Sequence, residues 1–231
     1  MGEKIRLYVM EGEKWPPLHT RRGVQYSDIS GTGLMPCPVK FSTSSPGADR
    51  IHYVNEDDIR IVLSRLPDEL WDRLRTVHFN DRSRGARVLG YVNRGRRDIA
   101  LCALPPRMSL IQALRNGQRP EEFGARRGEK WPRLAIRRFM LYDVFLHELG
   151  HLQLIDEDAR SVGRKFAHET RAQEFAMYWC NQLWSEAFSH PDPVHNPPAP
   201  SERTRLSAVE LTSSGFGDSA PTSLLNAPHK R

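Results

Sequence analysis

Cysteine is scarce in this chain, and its scarcity removes two common ways of stabilising a small protein. Cys37, Cys102 and Cys180 are the only three thiols in 231 residues. They are too few and too scattered for a disulfide framework or a thiolate zinc site. Long apolar runs are also missing: no uncharged stretch reaches the ~18 residues that a membrane-spanning helix needs. The opening Met1-Gly2-Glu3-Lys4-Ile5-Arg6 has no apolar segment of the kind a secretory signal carries, and Arg6 argues against N-myristoylation. These absences predict a cytoplasmic protein with no membrane partner. Apolar residues make up only 39% of the chain, so part of it is expected not to pack into a core.

The sequence divides into three stretches. Residues 1–50 are rich in Pro, Gly and Ser with little periodicity, which predicts an irregular N-terminal arm. Residues 51–189 carry the periodic segments and read as one domain. From His190 the chain turns to Pro191-Asp192-Pro193-Val194-His195-Asn196-Pro197-Pro198 and then to Ser, Thr, Gly and Ala. Residues 190–231 are therefore expected to form a disordered tail whose Pro-rich start is a linker. The net charge is +6. Arg203, Arg205, Lys230 and Arg231 balance Asp192, Glu202, Glu210 and Asp218 in the tail, so the excess lies before it. It gathers in two clusters, Arg82, Arg84, Arg87, Arg94, Arg96 and Arg97, and Arg126, Arg127, Lys130, Arg133, Arg137 and Arg138. Such clusters attract nucleic acid or acidic substrates. No aromatic interleaving accompanies them, so a solvated basic surface is the preferred reading.

Within the domain, Glu56 to Arg65 and Asp68 to Leu74 read as a helix broken at Pro67. Thr76 to Asn80, Arg87 to Asn93 and Asp98 to Ala103 read as strands, the last two joined by a hairpin turn at Asn93-Arg94-Gly95-Arg96. A capping box at Ser109 to Gln112 predicts a short helix ending at Gly117. Phe123 to Trp131 reads as a loop. Trp71, Trp179 and Trp184 are expected in the core.

After Pro132, the segment Leu134 to Leu154 is free of Gly and Pro except at Gly150, and its run Leu134 to Leu146 is apolar nearly all round. Such a helix belongs in a core. It carries His147-Glu148-Leu149-Gly150-His151, an HExxH motif. Residues four apart share one helix face, so the two imidazoles can meet one Zn²⁺ while Glu148 stands beside it to handle a water proton. Ile136, Met140, Asp143 and Val144 lie on the same face, and Asp143, one turn before His147, is placed to hold its second ring nitrogen. Gly150 is small enough to let another backbone approach between the histidines.

The third ligand is sought on the following helix, Phe166 to Phe188. Its apolar stripe runs through Ala172, Ala176, Trp179, Cys180, Leu183 and Ala187. At 100° steps Glu169 falls near the middle of the stripe, His168 at its edge, and Glu174 on the opposite polar side with Asn181. A carboxylate centred in a packing face needs a partner, and the metal is the natural one; His168 stays open as the alternative.

HExxH followed by Glu169-Thr170-Arg171-Ala172-Gln173-Glu174-Phe175-Ala176 resembles the gluzincin zinc metallopeptidases, with their second motif ExxA(D/N)xFA. The small intracellular ImmA/IrrE-like members are closest in flavour. The resemblance covers roughly Leu134 to Phe188. It implies that His147, His151 and Glu169 bind zinc and that Gln173 stands where the family has an Asp or Asn beside a zinc-bound histidine. The SprT-like group, with a histidine as third ligand, is the competing resemblance, and His168 has suitable spacing for it. A gluzincin core implies an α+β fold: a small sheet of about three strands, with an edge strand over the two helices that carry the metal residues. The edge strand implied is Asp98 to Ala103, to which a peptide substrate would add by main-chain hydrogen bonds. Phe123 to Trp131 would then lie near the cleft entrance.

The expected activity is hydrolysis of a peptide or protein substrate, with Glu148 as general base and an oxyanion stabiliser, His168 or Tyr178 being candidates. The alternatives are a zincin-fold regulatory or binding protein with vestigial catalysis, and a nucleic-acid-associated protease switched by DNA. Retention of Glu148 argues against the first, because a purely structural zinc does not need it.

Overall fold

The computed structural model describes residues 39–83, 88–114, 118–154, 162–200 and 202. The segment before residue 39, including Cys37, lies outside the described residues. So do Arg84, Arg87, Gly117 and the chain beyond Glu202. The fold is α+β. A four-stranded mixed sheet is formed by β1 (Lys40–Thr43), β2 (Thr76–Asn80), β3 (Gly90–Asn93) and β4 (Asp98–Cys102), in the order β1-β2-β4-β3. β1 and β4 run parallel to β2, and β3 runs antiparallel to β4. The helices are α1 (Glu56–Ser64), α2 (Arg133–Phe139), α3 (Leu146–Gln153) and α4 (Val162–Ser185), with a π-helical segment, Met140–Phe145, joining α2 to α3.

Local chemistry explains most of these elements. Asn55 caps α1 reciprocally with Asp58: Asn55 Oδ1 accepts from the Asp58 N–H at 2.9 Å, and Asp58 Oδ2 accepts from the Asn55 N–H at 3.1 Å. Glu56, Asp57 and Asp58 in the first turn also suit the positive end of the helix dipole. After Pro67 only a 3₁₀ turn forms, Asp68–Leu70, where the sequence predicts a longer helix. Likewise, among the described residues, only Ile111–Ala113 turns, as 3₁₀, in the short helix expected after Ser109. Ile99, Ala100, Leu101 and Cys102 of β4 are all buried, as a strand paired on both sides and covered by helices must be.

Three expectations are corrected. The strand over the helices is not Asp98 to Ala103. β4 is interior, between β2 and β3, and β3 is the edge strand at that end of the described sheet. The hairpin returns the chain inward, so the strand that precedes the helices in sequence is not the outermost in space. The irregular arm gives way before residue 50, because Lys40–Thr43 pairs with β2 as the opposite edge strand. That strand is largely exposed and so carries no alternation to read.

The chain does not leave the core at His190. Pro193–His195 forms a 3₁₀ turn capped by Asp192, and Val194 and His195 are buried. Tyr142 Oη lies 3.1 Å from His195 Nδ1, and Arg137 joins Asp58 at 2.9 Å to Asp192 at 2.8 Å. This docking uses a few deep contacts rather than a repeating face, so periodicity cannot signal it. It also absorbs part of the second arginine cluster. Arg137 is ion-paired, and Arg138 is buried, with hydrogen bonds to the carbonyl oxygens of Phe123 and Pro193 and an ion pair to Glu202. Phe123 and Trp131 bury in an aromatic group with Phe139 and Trp184, so both ends of that segment pack inward while residues 127–130 between them are exposed. Among the described residues, no helix is long and apolar enough to cross a membrane.

Candidate metal centre

α3 carries His147, Glu148 and His151 and packs along α4. Close approach is possible because Gly150 has no side chain: a Cβ there would stand 3.0 Å from the Ala172 carbonyl oxygen and 3.1 Å from the Ala172 Cα. The second backbone thus passes beside the motif, as the glycine predicts. It brings Glu169 to the histidines. His147 Nε2 lies 3.5 Å from Glu169 Oε2, and His151 Nε2 lies 3.4 Å from Glu169 Oε1. One ligand atom from each of the three residues lies within 4.8 Å of the other two.

His168 does not join this group. It is buried, and its Nδ1 faces Arg94 Nη2 at 3.4 Å. Glu174 is exposed, on the outer side of α4. Glu169 departs from expectation in one respect, since its side chain is 48% exposed. It faces a cleft rather than the packed core, so proximity to the histidines, not burial, ties it to them.

Ligands held at ~2.0–2.1 Å around one tetrahedral ion lie about 3.4 Å from each other, and the two separations of Glu169 from the imidazoles, 3.5 and 3.4 Å, are of that size.

Proton placement points the same way. Asp143 Oδ1 is 2.8 Å from Gln173 Nε2, and it also accepts from Gln118 Nε2. A carboxylate only accepts, so Gln173 turns its NH₂ to Asp143 and its oxygen to His147. His147 Nδ1, 3.1 Å from that oxygen, is then the donor. That leaves Nε2 as the ring atom that faces the Glu169 carboxylate and a shared ion. Burial, opposed by the Glu169 carboxylate, lowers the pKa of His151 and favours its neutral, ligating form. The residues therefore fit a zinc ion, by donor type and spacing.

Asp143 thus reaches His147 only through Gln173, where a uniform helix predicts direct contact. It lies in the π-helical segment, whose i→i+5 hydrogen bonding changes the phase just before the motif. Two glutamines complete the arrangement. Gln173 occupies the place the resemblance implies, and Gln118, from the loop before the Pro120–Phe123 3₁₀ turn, carried no sequence signal. The His151 Nδ1 is buried without a hydrogen-bond partner among the described residues.

The cluster lies in a cleft of about 790 Å³. β3 and its flanks form one wall, from Val88 to Val92 with Arg94, and the segment containing Met108 and Ala113 forms another. Glu148 is buried against β3: a Cβ on Gly90 would meet Glu148 Cγ at 3.2 Å and Val144 Cγ1 at 2.9 Å. Tyr178 packs edge-on to Trp179 and does not line the cleft. Compared with known proteins, the chain matches no family model, no curated protein and no solved structure.

Proposed function

We propose that this chain is a zinc-dependent metallopeptidase of the gluzincin type, holding zinc through His147, His151 and Glu169. The observation that carries the reading is the 3.4–3.5 Å spacing of one carboxylate from two imidazole nitrogens. That placement lets the carboxylate and both imidazoles share one ion. Zinc bound there supplies Lewis-acid activation of a water and of the substrate carbonyl. The rest is work for the chain's own groups. Glu148, one residue from His147 and lining the same cleft, accepts the water proton and passes it to the leaving nitrogen. Gln173 and Asp143 hold the His147 ring in one tautomer and orientation.

β3 offers the substrate an edge. Cys102 N donates to Leu89 O at 2.9 Å, and the pairing alternates from there, so Tyr91 and Asn93 face β4. The main-chain groups of Gly90 and Val92 point the other way, and both residues line the cleft. An extended peptide is recognised by adding to that edge.

Metal analysis of the wild type beside Glu148→Gln, with a peptidase assay on both, tests the reading. The expectation is about one zinc per chain in each, hydrolysis by the wild type, and none by the variant. Equal zinc with no hydrolysis by the wild type of any peptide or protein would support the binding or regulatory alternative. Absence of zinc from both would remove the site.

A further inference from the structure

Among the described residues lining the cleft, Arg94 is the only cationic side chain apart from the histidines. The carboxylates there have partners of their own: Asp143 accepts from two amides, and Glu169 faces two imidazoles. Arg94 follows directly on β3, at the start of the hairpin turn, and is half-buried. Its single hydrogen bond is from Nη2 to the buried His168 Nδ1 at 3.4 Å. No carboxylate of the described residues lies within ion-pair distance of it. A guanidinium has five N–H donors in a fixed fork suited to a carboxylate. Here one is used, weakly, on the His168 ring that anchors the side chain. His168 precedes Glu169 on α4, so this contact places the guanidinium at the α4 side of the cleft. The Arg94 backbone lies four residues along from Gly90, the residue that abuts Glu148, about 13 Å of extended chain.

We infer that Arg94 makes the cleft selective for peptides bearing a carboxylate, which its guanidinium binds at the end of β3; this rests on the peptidase reading above. The carboxylate is either an acidic side chain or the peptide's own C-terminus, and the test separates the two. Short alanine-based peptides carry a single Glu, or a single Gln, at successive positions, each made as the C-terminal acid and as the amide. Cleavage is measured with full-length zinc-loaded protein. Binding of the fluorescein-labelled peptides is measured by anisotropy on zinc-loaded Glu148→Gln.

Glu peptides are expected to outperform their Gln counterparts at one position by about ten- to a hundredfold in both readouts. A gain that follows the free C-terminus rather than the Glu assigns the site to the terminal carboxylate. Arg94→Gln abolishes the preference, and Arg94→Glu turns it toward peptides carrying Lys. The inference is overturned if the wild type treats Glu and Gln, and acid and amide, alike. It is equally overturned if Arg94→Gln lowers all peptides by one factor, the signature of a group acting on the reacting carbonyl or on the fold. Carboxylate-dependent binding without cleavage by the wild type overturns the peptidase reading and upholds Arg94. Cleavage without carboxylate preference does the reverse.

Discussion

His147 and His151 are held differently, although they are presented by the same helix. His147 donates to Gln173, which is fixed by Asp143, itself fixed by Gln118. His151 has a buried Nδ1 with no such partner among the described residues. The relay should therefore matter to metal affinity through one histidine only. Gln173→Met keeps the bulk and removes both hydrogen bonds. It is expected to weaken zinc binding about ten- to a hundredfold, the range for groups that orient ligands, as read by competition with a chromophoric chelator. Gln173→Glu puts an acceptor against Asp143 and restores nothing. Unchanged zinc affinity in Gln173→Met would mean that the contact is packing alone. The same titration ranks the carboxylates: Glu169→Gln should bind zinc more weakly than wild type, whereas Glu174→Gln and His168→Ala should bind it as wild type does. Zinc lost on removing His168 or Glu174, but kept on removing Glu169, would reverse the ligand assignment.

Two elements meet at Gly150, and this is where helix packing sets the geometry of the centre. An alanine there gains roughly 1 kcal/mol of helix propensity. Its methyl group, however, would press on the Ala172 backbone at 3.0–3.1 Å and on Phe175 Cβ at 3.1 Å. A helix backbone cannot give way as a flexible side chain does, and overpacking costs roughly 1–3 kcal/mol. Gly150→Ala should therefore lower the melting temperature and widen the gap between His151 and Glu169, weakening zinc binding. A variant that melts higher and binds zinc as before would show that α3 and α4 separate without consequence.

The sequence made this level legible only where the information is local. The spacing of His147 and His151 is a property of one helix, and Gly150 marked the close approach because only a missing side chain permits it. Asp143 was placed on the right face but given the wrong contact, because the π-helical segment breaks the uniform phase that a periodicity argument assumes. β4 was read as a strand, but its neighbours were not readable. Strand order depends on long-range pairing, and an all-buried strand is interior only when something lies on both sides of it.

At the scale of the molecule, the segment 190–200 shows how a chain without periodicity can still belong to the core. Its prolines and polar residues resemble a linker, yet Val194 and His195 within it are buried, His195 against Tyr142 and Asp58. Burying one valine alone is worth ~1.5–3 kcal/mol, and a domain of this size shifts by roughly 2–4 °C per kcal/mol. A chain ended after Ser189 should thus melt several degrees below one ended after Glu202; equal melting points would return the segment to the status of a linker.

Asp192 gives the docking a pH signature. Burial works to raise its pKa, but the hydrogen bonds from Arg137 and the Val194 N–H outweigh burial and hold it below the ordinary 3.8. A depressed folded-state pKa means that the stabilisation is present above the unfolded value and lost as pH falls through the folded one. Asp192→Asn should therefore lower the melting temperature at neutral pH, and the difference from wild type should shrink as the solution is acidified below that value. A difference that stays constant from neutral to strongly acid solution would mean that the Arg137 ion pair contributes nothing, leaving Val194 and His195 to hold the segment alone.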